Sequence, residues 1–348
     1  MSLHSVIFAL VLLCALSFFG WNVRRLIRYL RVGKKENRFD QVGTRLKNTL
    51  KIALGQSKLM REPLAGILHV MIFWGFVVLL AAVVESIGEG LYPRFSFSFL
   101  GPLYPFLILL EDVMGASVTL SVIVSLFRRL VAPPKRLQVT GHSKWDAVFI
   151  LSMILMVMVT MFGQNATRIG RGDANEARII SSALVGFFTP ESGETWYPLF
   201  LWGHMIVVLG FLNYLPYSKH LHVLTSTFNV YFSDLTPKGA LQPINLADET
   251  LTKYGATDIE DFTWKQLFDG YTCTECGRCT SVCPANTTGK LLNPKKIIVD
   301  LRARTFEKAP LIVAATQGGD GSKGNDEVLD HQLLDNFITE QALWACTT

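Results

Sequence analysis

Five stretches of this chain are long and apolar enough to cross a lipid bilayer, near residues 5–22, 64–86, 99–127, 145–165 and 197–217. A crossing takes roughly 20 residues of helix. Inside hydrocarbon no water is available to the backbone, so each crossing must satisfy its own N–H and C=O groups, as a helix does. The sequence therefore predicts an α-helical membrane protein with a five-helix bundle in its first part. The rest of the chain has a different composition. Residues 1–232 hold 22 Lys/Arg and 12 Asp/Glu, whereas residues 233–348 hold 11 and 16. The net charge of +5 is thus a sum of opposites, and the sequence pI of 8.8 reflects membrane-flanking charge rather than a nucleic-acid-binding face. A secreted domain and a disordered tail are equally poor fits.

The first apolar stretch reads as an uncleaved membrane helix. No basic residue precedes it, no small-residue cleavage site follows, and Arg24, Arg25, Arg28 and Arg31 come directly after it. Basic residues mark the cytoplasmic side. Twelve lie between the first and second stretches and five between Arg128 and Lys144. The opposite loops hold Arg94 alone and Arg168, Arg171 and Arg178. This bias predicts an outside N-terminus and a cytoplasmic tail after Tyr217. The expected organisation is a membrane domain over 1–224, a connecting segment over 225–261, irregular from Thr225 to Asp261, and a cysteine domain over 262–348. Within the last, Asn293-Pro294 predicts a short helix Pro294 to Arg304, Gly318, Gly319, Gly321 and Gly324 a loop, and Gln332–Trp344 a final helix.

The strongest chemical signal is Cys273-Thr-Glu-Cys276-Gly-Arg-Cys279-Thr-Ser-Val-Cys283-Pro284, a CxxCxxCxxxCP run. Three thiolates two residues apart can wrap one corner of a 4Fe-4S cubane, and the fourth, before Pro, is carried toward a second cluster in two-cluster ferredoxins. Zinc is the competing reading, but zinc sites space two CxxC pairs by a dozen or more residues. The run therefore predicts a 4Fe-4S site in a ferredoxin-like domain, in a reducing compartment where cysteines are ligands rather than disulfides. A second run would be needed for two clusters, and Cys346 stands as Cys-Thr-Thr where one would open. The expectation is that the chain stops inside its second motif. A single cluster is the alternative. Cys14, within the first apolar stretch, reads as a packing residue.

Four histidines sit in or beside the apolar stretches: His69 in the second, His204 in the fifth, and His220 and His222 just beyond it. Histidine in an apolar helix is costly without a partner, and haem iron accepts axial histidine between facing helices. His204 and His222 are 18 residues apart, so on one continuous helix they would share a face about 27 Å apart and could not bind one iron. The set supports one bis-histidine haem b more readily than two. Pro216 lies between them and can kink the helix. Depth counting places His69 nearer to His204 than to His222, by roughly 5 Å, so both pairings stay open. Glu111 and Asp112 interrupt the third stretch about halfway. With His204 they are candidates for proton handling at a quinone pocket, because quinone chemistry moves two protons with two electrons. The bland reading is that one acid bonds a neighbouring helix and the other faces a polar cleft.

Residues 204–222, HMIVVLGFLNYLPYSKHLH, resemble the last membrane helix of the gamma subunit (cytochrome b) of respiratory nitrate reductases. GILHVMIFWGF around His69 resembles that family's second helix. The resemblance implies His69 and His222 as the haem's axial pair, with His204 the alternative and His220 a weaker one. The family's second histidine on that helix falls at Leu79, which leaves His204 without its usual partner. Together with CTECGRCTSVCP, the arrangement resembles membrane iron–sulfur oxidoreductases related to heterodisulfide reductase, including bacterial electron-transfer-flavoprotein:menaquinone oxidoreductases. That resemblance implies electron transfer in a respiratory chain of the bacterial inner membrane, from a soluble flavoprotein or iron–sulfur donor to menaquinone. An electron-relaying anchor with no quinone site of its own is the alternative.

Overall fold

The computed structural model describes residues 3–138, 142–172, 177–237, 239–240, 246–247, 249–250, 253–316 and 326–346. Gly318, Gly319, Gly321 and Gly324 lie outside them. Five helices are long and apolar enough to span a membrane: Leu3–Leu30, Pro63–Leu91, Leu103–Leu130, Ser143–Gly170 and Glu191–Tyr217, the last continuing through a tight 3₁₀ turn. Each matches one predicted stretch. No strand forms among the described residues, only isolated bridges such as Lys34 with Thr263.

The chain divides into two compact units. The first comprises Met1–Trp21 and Gln56–Leu215. Here the second long helix packs along the third and the fourth along the fifth. Leu79, Val118, Val122, Met158, Met161 and Phe162 form its largest buried apolar cluster. The third helix comes so close to the second that a Cβ at Gly75 would strike the Val118 side chain, so glycine there sets the interhelical approach. Small residues do the same in lipid, where van der Waals contact rather than water exclusion holds helices together.

The second unit comprises Asn22–Gly55 and Pro216–Thr348. The end of the first long helix belongs to it. Leu26 is buried with Leu221, Phe268 and Tyr271, and the Tyr271 hydroxyl donates to the Leu26 carbonyl. Gly33 passes so near the backbone of Phe262 and Trp264 that a Cβ would lie 2.8 Å from the Phe262 oxygen. That approach lets Lys34 and Trp264 exchange backbone hydrogen bonds with 262 and 34. Arg45, buried on the short helix Val42–Asn48, donates to the carbonyls of Asp40, Tyr231 and Ser233.

Four sequence expectations change. The fifth helix ends at Tyr214, 3₁₀ turns follow at Leu215–Tyr217 and Lys219–Leu221, and a new helix runs His222–Tyr231. His204 and His222 are therefore on different helices, and the 27 Å argument from one continuous helix does not apply. The helix His222–Tyr231 also occupies the start of the segment expected to be irregular. The helix opening at Pro294 runs to Thr316, through Pro310. The expected final helix Gln332–Trp344 is instead Leu333–Asn336 and Glu340–Trp344, split because Asp335 takes a left-handed conformation and Thr339 starts a fresh N-cap.

Candidate functional site

The third long helix places Glu111 and Asp112 on adjacent positions, about 100° apart around the axis, and the two acids have different fates. They are also nearer the helix start than the expected midpoint, eight and nine residues after Leu103. Asp112 is buried and fully engaged. It accepts from the backbone N–H of Ile180 at 2.5 Å and from the Ser181 hydroxyl at 2.5 Å, with the Ser181 N–H at 3.2 Å. It thus caps the short helix Ile179–Ser182 that lies over the bundle.

Glu111, 5% exposed, faces the other way. It lines a cleft with a cavity volume of about 50 Å³, together with Glu85, Glu89, Arg168, Arg178 and His204. Its Oε1 has no hydrogen-bond partner among the described residues. A buried carboxylate oxygen without a donor is costly, so a polar ligand or water belongs against it. The structure thus brings His204 and Glu111 together and removes Asp112 from the constellation.

His204 is held by the fourth helix. The Thr160 hydroxyl donates to the Met156 carbonyl at 2.8 Å, so its lone pair meets His204 Nδ1 at 2.9 Å. Nδ1 is then the donor, assigned from the network, and Nε2 carries the lone pair that can accept a proton or bind a metal. Asn165-Ala-Thr167, which has the form of a glycosylation acceptor, lies inside this same helix with Thr167 fully buried.

The sequence reading missed Glu85, Glu89, Arg168 and Arg178. A signal existed: Glu85 and Glu89 are four residues apart, on one face of an otherwise apolar helix. Glu85 Oε1 is saturated by Ser96 Oγ, Phe97 N and the Tyr104 hydroxyl, at 2.8, 2.9 and 2.8 Å. Glu89 bonds Arg168 and the Tyr197 hydroxyl, each at 3.2 Å.

His69 sits half-buried six residues after Pro63 in the second helix. His222 opens its own helix. Its Nδ1 lies 3.2 Å from the Lys219 carbonyl, which can only accept, so this ring also keeps its lone pair on Nε2. Burial pushes His222 below the usual histidine range, against an upward pull from the Lys219 carbonyl, a direction that favours the unprotonated ring metal ligation uses. His220 meets it edge-on, ring centres 4.9 Å apart.

The cysteine run follows the helix Trp264–Thr272 and is shaped by two left-handed residues, Glu275 at φ 57° and Gly277 at φ 73°. They curl the backbone between Cys273 and Cys279. No disulfide joins any of the six cysteines. Burial pushes the Cys273 thiol up, while a backbone hydrogen bond from Glu275 and the charge of Arg302 work against it. Arg302, from the helix Pro294–Thr316, clamps the loop by donating to the Cys273 carbonyl at 2.8 Å and to Glu275, whose other oxygen meets Lys219 at 3.4 Å. Asn293 caps that helix through the Lys296 N–H and accepts from Thr280 in the loop. No three His, Cys, Asp or Glu side chains among the described residues are gathered at metal-holding distance. The donor set itself, four unoxidised thiols on a curled loop with N–H and guanidinium donors beside them, fits a thiolate-ligated cluster and not a disulfide. Cys346 is exposed, after the helix Glu340–Trp344.

Comparison with known proteins points the same way. The chain is 32% identical over 370 aligned residues, 99% of its length, to the "Probable iron-sulfur-binding oxidoreductase FadF" of Bacillus subtilis, covering 52% of that protein. It is 28% identical over 97% of its length to the "EtfAB:quinone oxidoreductase" of Syntrophomonas wolfei, covering 50% of it. The chain spans about half the length of these relatives. A stretch of 54 residues is 44% identical to a "Probable membrane-anchored ferredoxin" of Chromohalobacter salexigens, 8% of that protein. No protein-family model matches the chain, and no solved structure matches it significantly.

Proposed function

We propose that this chain is the membrane part of an iron–sulfur oxidoreductase that carries electrons between a soluble cytoplasmic donor and menaquinone. The observation that carries the reading is the pairing, in one chain, of a curled four-thiol loop with a bundle whose polar cleft holds Glu111 and His204. The full-length relatives named as an iron-sulfur-binding oxidoreductase and an EtfAB:quinone oxidoreductase support it. An electron-transfer flavoprotein is the donor class that the second name suggests.

When bound, a 4Fe-4S cluster and haem b supply one-electron transfer, which the chain's own side chains cannot. Cys273, Cys276, Cys279 and Cys283 would hold the cluster, and Cys346 would serve a second one. By the resemblance of their segments to cytochrome b helices, His69 and His222 would hold the haem, and the Lys219 carbonyl at His222 Nδ1 leaves the ring's lone pair on Nε2, the atom that could bind iron. In the cleft the chain's residues do three things. His204 Nε2 and the Glu111 carboxylate stand ready to exchange protons with the two quinone oxygens. Arg178 offers a guanidinium to an oxygen that becomes negative. The apolar walls from Leu79, Val157 and Met161 take the ring. Asp112, named with the site in the sequence, is a structural cap. The cleft favours this reading over a relay anchor without a quinone site.

The test is the purified protein in detergent. Iron and acid-labile sulfide, a reducible Soret band, and reduction of that band by menadiol are the expected results. No iron and no Soret band would overturn the redox reading. A Soret band that menadiol leaves oxidised would favour the relay anchor.

A further inference from the structure

The cleft continues into a chain of polar groups that the proposed electron path does not use. Glu89, on the cleft wall, bonds Arg168 and the Tyr197 hydroxyl at 3.2 Å each. The Arg171 guanidinium stacks over the Tyr197 ring, 4.8 Å from its centre, and pairs with Glu194 at 3.3 Å. The Glu194 side chain is 69% exposed. All these residues belong to the first unit, at the end of the bundle where the second helix stops at Leu91 and the fifth begins at Pro190. Glu89 and the Tyr197 phenol are in hydrogen-bonding contact, and the Arg171 guanidinium, which does not give up a proton, holds the exposed Glu194 near that ring; carboxylates and a phenol between a cleft and solvent have the chemistry of a proton relay.

Two features single out Glu89 within it. Glu85, one turn earlier on the same helix, spends one oxygen on three donors and is fixed as a loop anchor. Glu89 instead touches both the cleft and the outward chain. Arg168 is half-buried with it and holds one carboxylate oxygen in place, while the Tyr197 hydroxyl bonds the other, on a ring that lies under Arg171.

We infer that Glu89, with Tyr197, relays protons between the quinone cleft and the bundle end carrying Glu194, the end opposite the basic flanks of the membrane helices. The inference rests on the quinone reading above. In the oxidation of a quinol, the two O–H bonds break, two electrons pass to the oxidised redox groups of the protein, and two protons are taken by Glu111 and His204. They leave by way of Glu89. Quinone reduction runs the same protons inward, with electrons from a reduced flavoprotein or iron–sulfur donor.

The test uses the full chain in liposomes, with menadiol as the quinol, ferricyanide as the electron acceptor on the side of the cysteine loop, a pH-sensitive dye on the other side, and protein-free liposomes setting the background rate. Wild type is expected to oxidise menadiol and release protons on the Glu194 side. Glu89→Gln is expected to slow this about tenfold or more, since a placed proton-transfer group contributes 10²–10⁴-fold, and to flatten its pH profile. Glu89→Asp should recover part of the rate. Menadione binding, read by tryptophan-fluorescence quenching, should be unchanged in Glu89→Gln, which separates proton delivery from a damaged site. Tyr197→Phe keeps the ring under Arg171 and should raise the solvent isotope effect. Wild type that turns over while Glu89→Gln and Tyr197→Phe match it in rate, pH profile and isotope effect overturns the relay alone. Wild type inert to menadiol overturns the quinone reading and the relay with it.

Discussion

At the scale of single residues, Glu111 and Asp112 show how far neighbouring side chains of one chemical type can diverge. Asp112 is consumed by the N–H groups and hydroxyl of the Ile179–Ser182 cap, and Glu111 keeps a buried oxygen without a donor in the cleft. Substitution should separate them. Asp112→Ala strands those donors and is expected to cost about 2 kcal/mol of stability, read as a lower thermal midpoint of the purified protein, with menadiol turnover retained in the fraction that stays folded. Glu111→Gln is isosteric and should leave the midpoint in place while slowing turnover about a hundredfold, the low end for a lost proton-transfer group. Equal turnover in wild type and Glu111→Gln would remove Glu111 from the site. The sequence could say that two acids in an apolar helix need a reason. It could not say which acid had which, because that depends on a loop, 177–182, contributed from far along the chain. A second residue-scale prediction concerns pH. Burial pulls the Asp261 carboxyl upward, but the Lys253 ammonium and the N–H groups of Thr257 and Asp258 outweigh it and hold it down at about 2. A carboxyl depressed on folding stabilises fully above its ordinary value near 3.8 and loses that contribution as pH falls toward 2. Wild type should therefore unfold at a higher temperature than Asp261→Asn, by a constant margin from pH 7 to 5. The margin should shrink below pH 4.

At the scale of elements, the cysteine loop depends on a helix residue 29 positions after Cys273. Arg302 reaches back from Pro294–Thr316 to the Cys273 carbonyl and to Glu275, a two-point clamp that a lysine cannot reproduce. Arg302→Ala is expected to weaken loop closure by about 2 kcal/mol, roughly a 30-fold rise in local opening. Faster amide exchange at 273–277 would show this, with lower iron content in protein purified under nitrogen. Arg302→Lys should fall between. Unchanged exchange in Arg302→Ala would show that the two left-handed residues alone hold the curl. Elements were legible where one dominant force writes them. A hydrocarbon slab about 30 Å thick demands a fixed apolar length, so five helices could be counted without a structure. Asn293-Pro294 marked its helix start through capping chemistry that is entirely local. Helix ends were less legible. The break at Tyr214, two residues before Pro216, and the split at Asp335 are decided by packing and by a single left-handed residue that composition does not flag.

At the scale of the whole molecule, the distribution of Lys and Arg among the loops makes a prediction about membrane sides. Twelve basic residues between the first two apolar helices and five around Lys135 stand against one and three at the other end, a bias that insertion reads as cytoplasmic against outside. The exposed thiol of Cys279 should then be hidden from a membrane-impermeant maleimide in intact spheroplasts and reactive in inverted vesicles once iron is chelated. Ser98→Cys, in the 3₁₀ turn Phe97–Leu100 between the second and third helices, should give the opposite pattern. A cytoplasmic thiol protein that stays unlabelled shows that the spheroplasts are sealed. Both thiols reactive in intact spheroplasts would invert the tail. Protons released at the Glu194 end would then share a compartment with the soluble redox partner, and quinol oxidation in the cleft could not separate charge across the membrane. With the predicted labelling, the relay through Glu89 and the thiol loop serve opposite sides. Each two-electron oxidation of quinol that sends its electrons toward the loop then leaves its protons outside.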